Sequence, residues 1–303
     1  MRVRRSGLSL LLGLVLLLSA FGIQSPSIVV AQIDPWTCEA PAAAPAASPE
    51  EEAAEASPVA VEVVPFPEDA GTVTVFAAAS LTDAFAEIER NLEEANPGLD
   101  IVNNFAGSQA LVTQLIEGAP ADVAAFASNT AMNNAIEGEV IADEPQTFVE
   151  NLLTVVVPSD NPAGITSAAD LANDGIKLVL AQEDVPVGGY SRESICNMAA
   201  DTATYGDDFL AAVAGNVVSQ EDNVRAVLTK VALGEADAGI VYTSDVTEDV
   251  ISILIPEEVN ELATYPIAPV VGGNAEISEA YISYILSPEG QDVLANYGFI
   301  PVD

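Results

Sequence analysis

Along this chain the apolar positions change their period in a repeating order. The run VTVFAAA, from Val73 to Ala79, has the continuous apolar character of a buried strand. Leu81, Phe85, Ile88 and Leu92 then recur on one helical face until Asn96-Pro97-Gly98 stops the pattern. IVNNF at 101–105 predicts a second strand, a helix follows with Leu111, Leu115 and Ile116 on its apolar side, and Asp122-Val123 begins a third strand. NLLTVVVP, 151–158, is apolar and β-branched without alternation, as in a strand covered on both faces. Beyond it come a helix around 167–172, a strand IKLVLA at 176–181, a turn DVPVGGY with a helix after it, and a strand-helix-strand pattern over 217–246. Residues 275–299 read as a pair of amphipathic helices that return to the first half of the fold. Alternating units of this length predict an α/β class with parallel, helix-flanked sheets, and the second βα set predicts a second lobe.

Two of the predicted strand-to-helix turns carry a serine among small residues, Ser80 in FAAASLTDAF and Ser108 in NFAGSQALVTQL. The first N–H groups of a helix lack internal partners and carry the positive end of its dipole. Two such termini at the carboxyl ends of neighbouring strands form a site for an anion that needs no cationic side chain. Each serine also reads as a helix cap, and Ser80 with Asp83 fits a capping box. Capping alone therefore accounts for either serine taken singly, and the repetition of the arrangement is what points to a ligand.

Composition narrows the chemistry. The 303 residues include no histidine, which removes the usual general base and the commonest neutral metal ligand. A serine enzyme built on Ser80 would have to take its base from Lys177 or Lys230, and neither stands in a serine-lysine motif. Arg2, Arg4 and Arg5 precede an apolar run from Leu8 to Ile23, with small residues before a cleavage point after Ala31. Residues 1–31 thus read as a signal peptide, with a retained membrane anchor as the alternative. The chain is expected to be exported, to a periplasmic or cell-surface location. Without that segment five basic residues remain against 46 acidic ones, a formal charge of −41, which excludes nucleic acid as a partner. Residues 32–71, rich in Ala, Pro and Glu, read as a linker that buries too little to fold by itself. Cys38 and Cys196 are the two cysteines, and in an oxidising space they form a candidate disulfide. A lipid anchor at Cys38 would want small and aliphatic residues before it, and PWTC lacks them. Arg192, just after VPVGGY, is expected to form a surface ion pair and to stand outside the site.

FAAASLTDAF, NFAGSQALVTQL with GAPADV, VPVGGYSRE, EDNVRAVL and GIVYTSDV, with YGF near the end, resemble in kind and order the segments of the molybdate-binding proteins of ABC uptake transporters. The resemblance covers about residues 72–301. It implies a two-lobed fold of the periplasmic-binding-protein type, type II-like, with lobe I over 72–150 and 263–303 and lobe II over 151–262. It implies no enzymatic activity and no cofactor; the ligand is molybdate, with tungstate beside it and sulfate as the alternative oxyanion. The partner it implies is a membrane permease, and the chain is expected to be a monomer. Carried over, the ligand contacts are the Ser80 and Ser108 hydroxyls, the main-chain N–H groups of Val187 and Val224, and the Tyr242 phenol. Ala124 stands where that family usually has a larger apolar residue, which leads us to expect an altered cleft shape.

Overall fold

The structure is a computed structural model that describes Trp36, Cys38 and residues 63–302. The expected signal peptide and most of the linker lie outside the described residues.

The first half of the folded chain runs β1 (Gly71–Ala78), α1 (Thr82–Ala95), β2 (Leu99–Ala106), α2 (Ser108–Ile116), β3 (Val123–Ala125) and α3 (Asn129–Glu137). A long strand, β4 (Gln146–Pro158), leads into β5 (Leu178–Ala181), α4 (Pro186–Ala200), α5 (Thr202–Tyr205), α6 (Phe209–Asn216), β6 (Val217–Glu221), α7 (Val224–Ala232) and β7 (Ala238–Tyr242). The chain then returns through β8 (Val250–Leu254) and β9 (Leu262–Pro269) to α8 (Ala275–Ile285), α9 (Pro288–Asn296) and β10 (Ile300–Pro301).

The strands divide into two sets that share β4. In the first, β1 lies parallel between β2 and β3, and β3 pairs antiparallel with β9, which pairs in turn with residues 146–152 of β4. In the second, β5 lies parallel between β6 and β7, while residues 153–158 of β4 pair antiparallel with β7 and β8. The strand therefore changes partners between Leu152 and Leu153, and this exchange makes the fold two-lobed. Backbone groups left over at such an exchange must be satisfied by other means. Asn260 does this for Leu153, accepting its N–H at 3.2 Å and donating to its carbonyl at 2.9 Å. Asn151, fully buried, donates to Ser244 Oγ at 2.8 Å and accepts from Thr243 Oγ1 at 2.7 Å.

The predicted helical face of α1 is buried through Leu81, Phe85, Ile88 and Leu92. Phe85 meets Phe148 and Tyr281 at ring-centroid distances of 6.1 and 6.2 Å, and Phe148 stands edge-on to Tyr265 at 6.3 Å. This aromatic row holds α1, α8 and β9 on one core and ends at the cleft. The apolar side of α2 differs from the expected one: Leu111, Val112 and Leu115 are buried while Ile116, its last residue, is 53% exposed. Ala124 packs among Phe76, Leu111 and Phe126 in the core of the first strand set, so it does not shape the cleft.

The segment DVPVGGY is not a turn before a helix, because α4 begins inside it at Pro186. Proline is well placed there, since the first helical position has no N–H partner to lose. Its close approach to β5 requires glycine at position 188, where a Cβ would lie 1.8 Å from the Gln182 carbonyl oxygen. Arg192, expected at the surface, is buried on the same helix. Its guanidinium donates to the carbonyls of Ala181 and Gly188 at 3.0 and 2.6 Å and lies 5.3 Å from the Trp36 ring centroid. Burial lowers its pKa, and carbonyl dipoles with an aromatic face replace the carboxylate partner. Cys38 and Cys196 are joined by a disulfide with Cα atoms 5.5 Å apart, which attaches the segment around Trp36 to α4.

Candidate functional site

Four helix starts meet in the cleft between the two strand sets. From the first set come the 3-10 turn Ala79–Leu81 that leads into α1, and the first turn of α2. From the second come the first turns of α4 and α7. The cleft is lined by Ser80, Ser108, Val187, Val224 and Tyr242 together with small residues such as Gly107 and Ala127. Every one of the five predicted contact residues is at most 4% exposed. Among the described residues, no cationic side chain lines the cleft. Its positive potential comes from the helix termini, at which α2 and α4 carry no side-chain cap to consume their free N–H groups.

The capping roles expected of the two serines are not the ones they play. Ser80 lies within the 3-10 turn, one residue before the Leu81 N-cap of α1, and no capping box forms with Asp83. Ser108 is the first residue of α2, whose N-cap is Gly107. Both hydroxyls are thereby released from capping. Ser108 Oγ accepts the Ala127 N–H at 3.0 Å, which leaves its own proton to donate elsewhere. Ser80 Oγ lies 3.0 Å from the hydroxyl of Tyr265 on β9, a residue with no exposure that sequence reasoning did not single out. Tyr242, at the end of β7, has a wholly buried hydroxyl with no hydrogen-bond partner among the described residues. Burial holds its pKa well above the ordinary phenol value, so it stays a neutral donor. An unpaired buried hydroxyl is costly, and one facing a cleft is most simply satisfied by a ligand.

The contacts between the strand sets beside the cleft are polar. Arg225, next to Val224, reaches across to Asp83 Oδ2 on α1 at 2.7 Å, and its Nε lies 3.0 Å from Asp245 Oδ1. Gln109 on α2 donates to the Asp222 carbonyl at 2.9 Å. Asn223, which precedes α7, caps that helix by accepting the Ala226 N–H at 3.0 Å. Asparagine before an apolar helical run is a cap signal in the sequence, and it could have marked the Val224 terminus in advance.

Asp245 has no exposure, and burial raises its pKa to about 7, opposed by the charge of Arg225 and reinforced by Asp83. An unfolded aspartate loses its proton near pH 4, so between about pH 4 and 7 the folded state holds the extra proton. Stability should therefore decline as pH rises through that window. Replacing Asp245 with Asn, which cannot ionise, should remove the decline. Thermal melts at pH 5 and pH 8 check this: the wild-type melting temperature should fall relative to that of Asp245→Asn, and parallel profiles would count against it.

Residues 73–300 match the family model described as bacterial extracellular solute-binding protein. The molybdate-binding protein ModA of Mycobacterium tuberculosis is 34% identical over 234 residues, covering 76% of this chain and 85% of that protein. That of Escherichia coli is 33% identical over 242 residues, with 76% and 90% covered. The periplasmic molybdate-binding protein of Azotobacter vinelandii shares the fold with a TM-score of 0.66 at 14% identity, over 76% of this chain and all of that one. Two strand sets joined through β4, a cleft of helix termini between them, and relatives of this identity over most of both chains lead to one assignment: this chain belongs to the bacterial extracellular solute-binding protein family, in the branch that holds the molybdate-binding proteins.

Proposed function

We propose that the chain binds molybdate, and tungstate with it, outside the cytoplasm and delivers the ion as a monomer to the permease of an ABC transporter. Lobe I would comprise residues 72–150 and 263–303, and lobe II residues 151–262. Ser80, Ser108 and Tyr242 donate through their hydroxyls, and Val187 and Val224 through their main-chain N–H groups. The observation that carries this reading is the unpartnered Tyr242 hydroxyl, buried in a cleft of four helix starts with no cationic side chain in its lining. A tetrahedral dianion accepts from every side and satisfies all these groups together. The ion touches both lobes only when they are shut, so binding favours the closed state.

The same inventory of donors predicts selectivity. Hydrogenphosphate carries an O–H that needs an acceptor, and a site hydroxyl that turned to accept it would withdraw its own donation to the ion, at a cost of about 1–3 kcal/mol. Sulfate is fully ionised but smaller, so some donors stand too far from it. Calorimetry on the exported protein, supported by native mass spectrometry, should show molybdate and tungstate bound most tightly, sulfate weaker, and hydrogenphosphate at least tenfold weaker than molybdate. Sulfate bound more tightly than molybdate would move the chain to the alternative oxyanion.

A further inference from the structure

We infer that Tyr265 is a positioning residue for the ligand: its hydroxyl donates to Ser80 Oγ and thereby commits the single Ser80 proton to the bound ion. This rests on the oxyanion reading of the cleft. A serine hydroxyl has one proton, and toward a dianion without protons it must spend that proton as a donor. Ser80 Oγ has one protein partner in the structure, Tyr265 Oη at 3.0 Å, so with an ion present the tyrosine is the donor in that pair. The arrangement repeats at Ser108, whose oxygen accepts the Ala127 N–H at 3.0 Å and whose proton is likewise left for the cleft. Each serine thus has a fixed donor behind it, a backbone N–H in one case and a phenol in the other.

Tyr265 is held for this task. Its ring stands edge-on to Phe148, Tyr242 and Phe299, with centroids 6.3, 5.7 and 5.4 Å away, and the residue has no exposure. Packed on three sides, the ring has little freedom to swing its hydroxyl from Ser80. Burial also pushes its pKa well above the ordinary phenol value, so the proton remains on the tyrosine at any pH at which the protein works. A donor chain of phenol to serine to anion polarises along its length, which strengthens the last bond.

The test is a double-mutant cycle on molybdate affinity using wild type, Tyr265→Phe, Ser80→Ala and the double variant. Tyr265→Phe should weaken binding about fivefold when Ser80 is present, and by less than twofold when position 80 is alanine. A purely structural role would lower the melting temperature and affinity alike in both backgrounds. Equal losses in the two backgrounds, or a Tyr265→Phe protein that binds like wild type, would overturn the assignment. Should the variants fold poorly, the structure of the wild-type protein with molybdate decides: Ser80 Oγ should lie within 3.2 Å of both Tyr265 Oη and an ion oxygen. A Ser80 turned away from Tyr265 would overturn the proposal. Wild-type protein that takes up no molybdate would instead overturn the reading of the cleft, and this assignment with it.

Discussion

Changing Ser80 and Ser108 together to alanine is expected to reduce molybdate affinity by about two to four orders of magnitude. On the proposed reading each serine would supply a hydrogen bond to a charged ligand, worth about 1.5–3 kcal/mol. The two contacts share one ion, so their losses need not add strictly. The single variants separate two effects. Neither serine caps a helix, so neither should show the stability loss of a missing N-cap. Ser108→Ala instead leaves the Ala127 N–H without its acceptor, and Ser80→Ala leaves the Tyr265 hydroxyl alone. Calorimetry and melting curves on all three variants check the prediction. Unchanged affinity with only a lower melting temperature would confine the serines to a structural role.

Gly107→Ala should impair binding while leaving the fold nearly as stable as before. Gly107 has φ −60° and ψ 137°, a backbone conformation that any residue adopts, so alanine introduces no strain within lobe I. A Cβ there would lie 2.5 Å from the Asp222 carbonyl oxygen on the opposite side of the cleft, and 2.6 Å from the movable Gln109 amide. The side chain can yield, but the carbonyl precedes the Asn223 cap of α7 and is fixed. The methyl group becomes a wedge that opposes closure, at a cost of about 1–3 kcal/mol typical of overpacking, or roughly ten- to hundredfold in affinity. Calorimetry gives the loss, and small-angle scattering with saturating molybdate shows whether the lobes still shut. Wild-type affinity would mean that Gly107 and Asp222 are farther apart in the bound state.

The helical face of α1 and the two-sided burial of β4 could be read from the sequence because both are local patterns, set by side chains a few residues apart. The partner exchange in β4 could not be read that way. Residues 146–152, QTFVENL, are more polar than 153–158, LTVVVP, but that difference does not say which distant strands each half pairs with. Ser80 and Ser108 were visible as serines at helix starts, yet the capping box assigned to Ser80 and Asp83 did not form. Asp83 instead meets Arg225 across the cleft, a nonlocal attraction that a motif four residues long cannot register. Val187 and Val224, which line the cleft, were proposed for their main-chain N–H groups, and these leave no trace in residue type, so resemblance alone pointed to them. Tyr265 lies in an ordinary apolar strand, and its relation to Ser80 exists only once β9 is placed beside β3.

The disulfide has a mechanical meaning. Cys38 is bonded to α4 in the second strand set, whereas the chain enters the first set at Val64, whose N–H donates to Ser283 Oγ at 2.9 Å. A pull arriving through residues 1–35 is therefore transmitted to α4 across the sulfur bridge and bypasses β1. A tether held through this bridge would make the second strand set the fixed jaw and leave the first to swing. Reduction of the bridge would transfer the pull to the start of β1 and exchange those two parts.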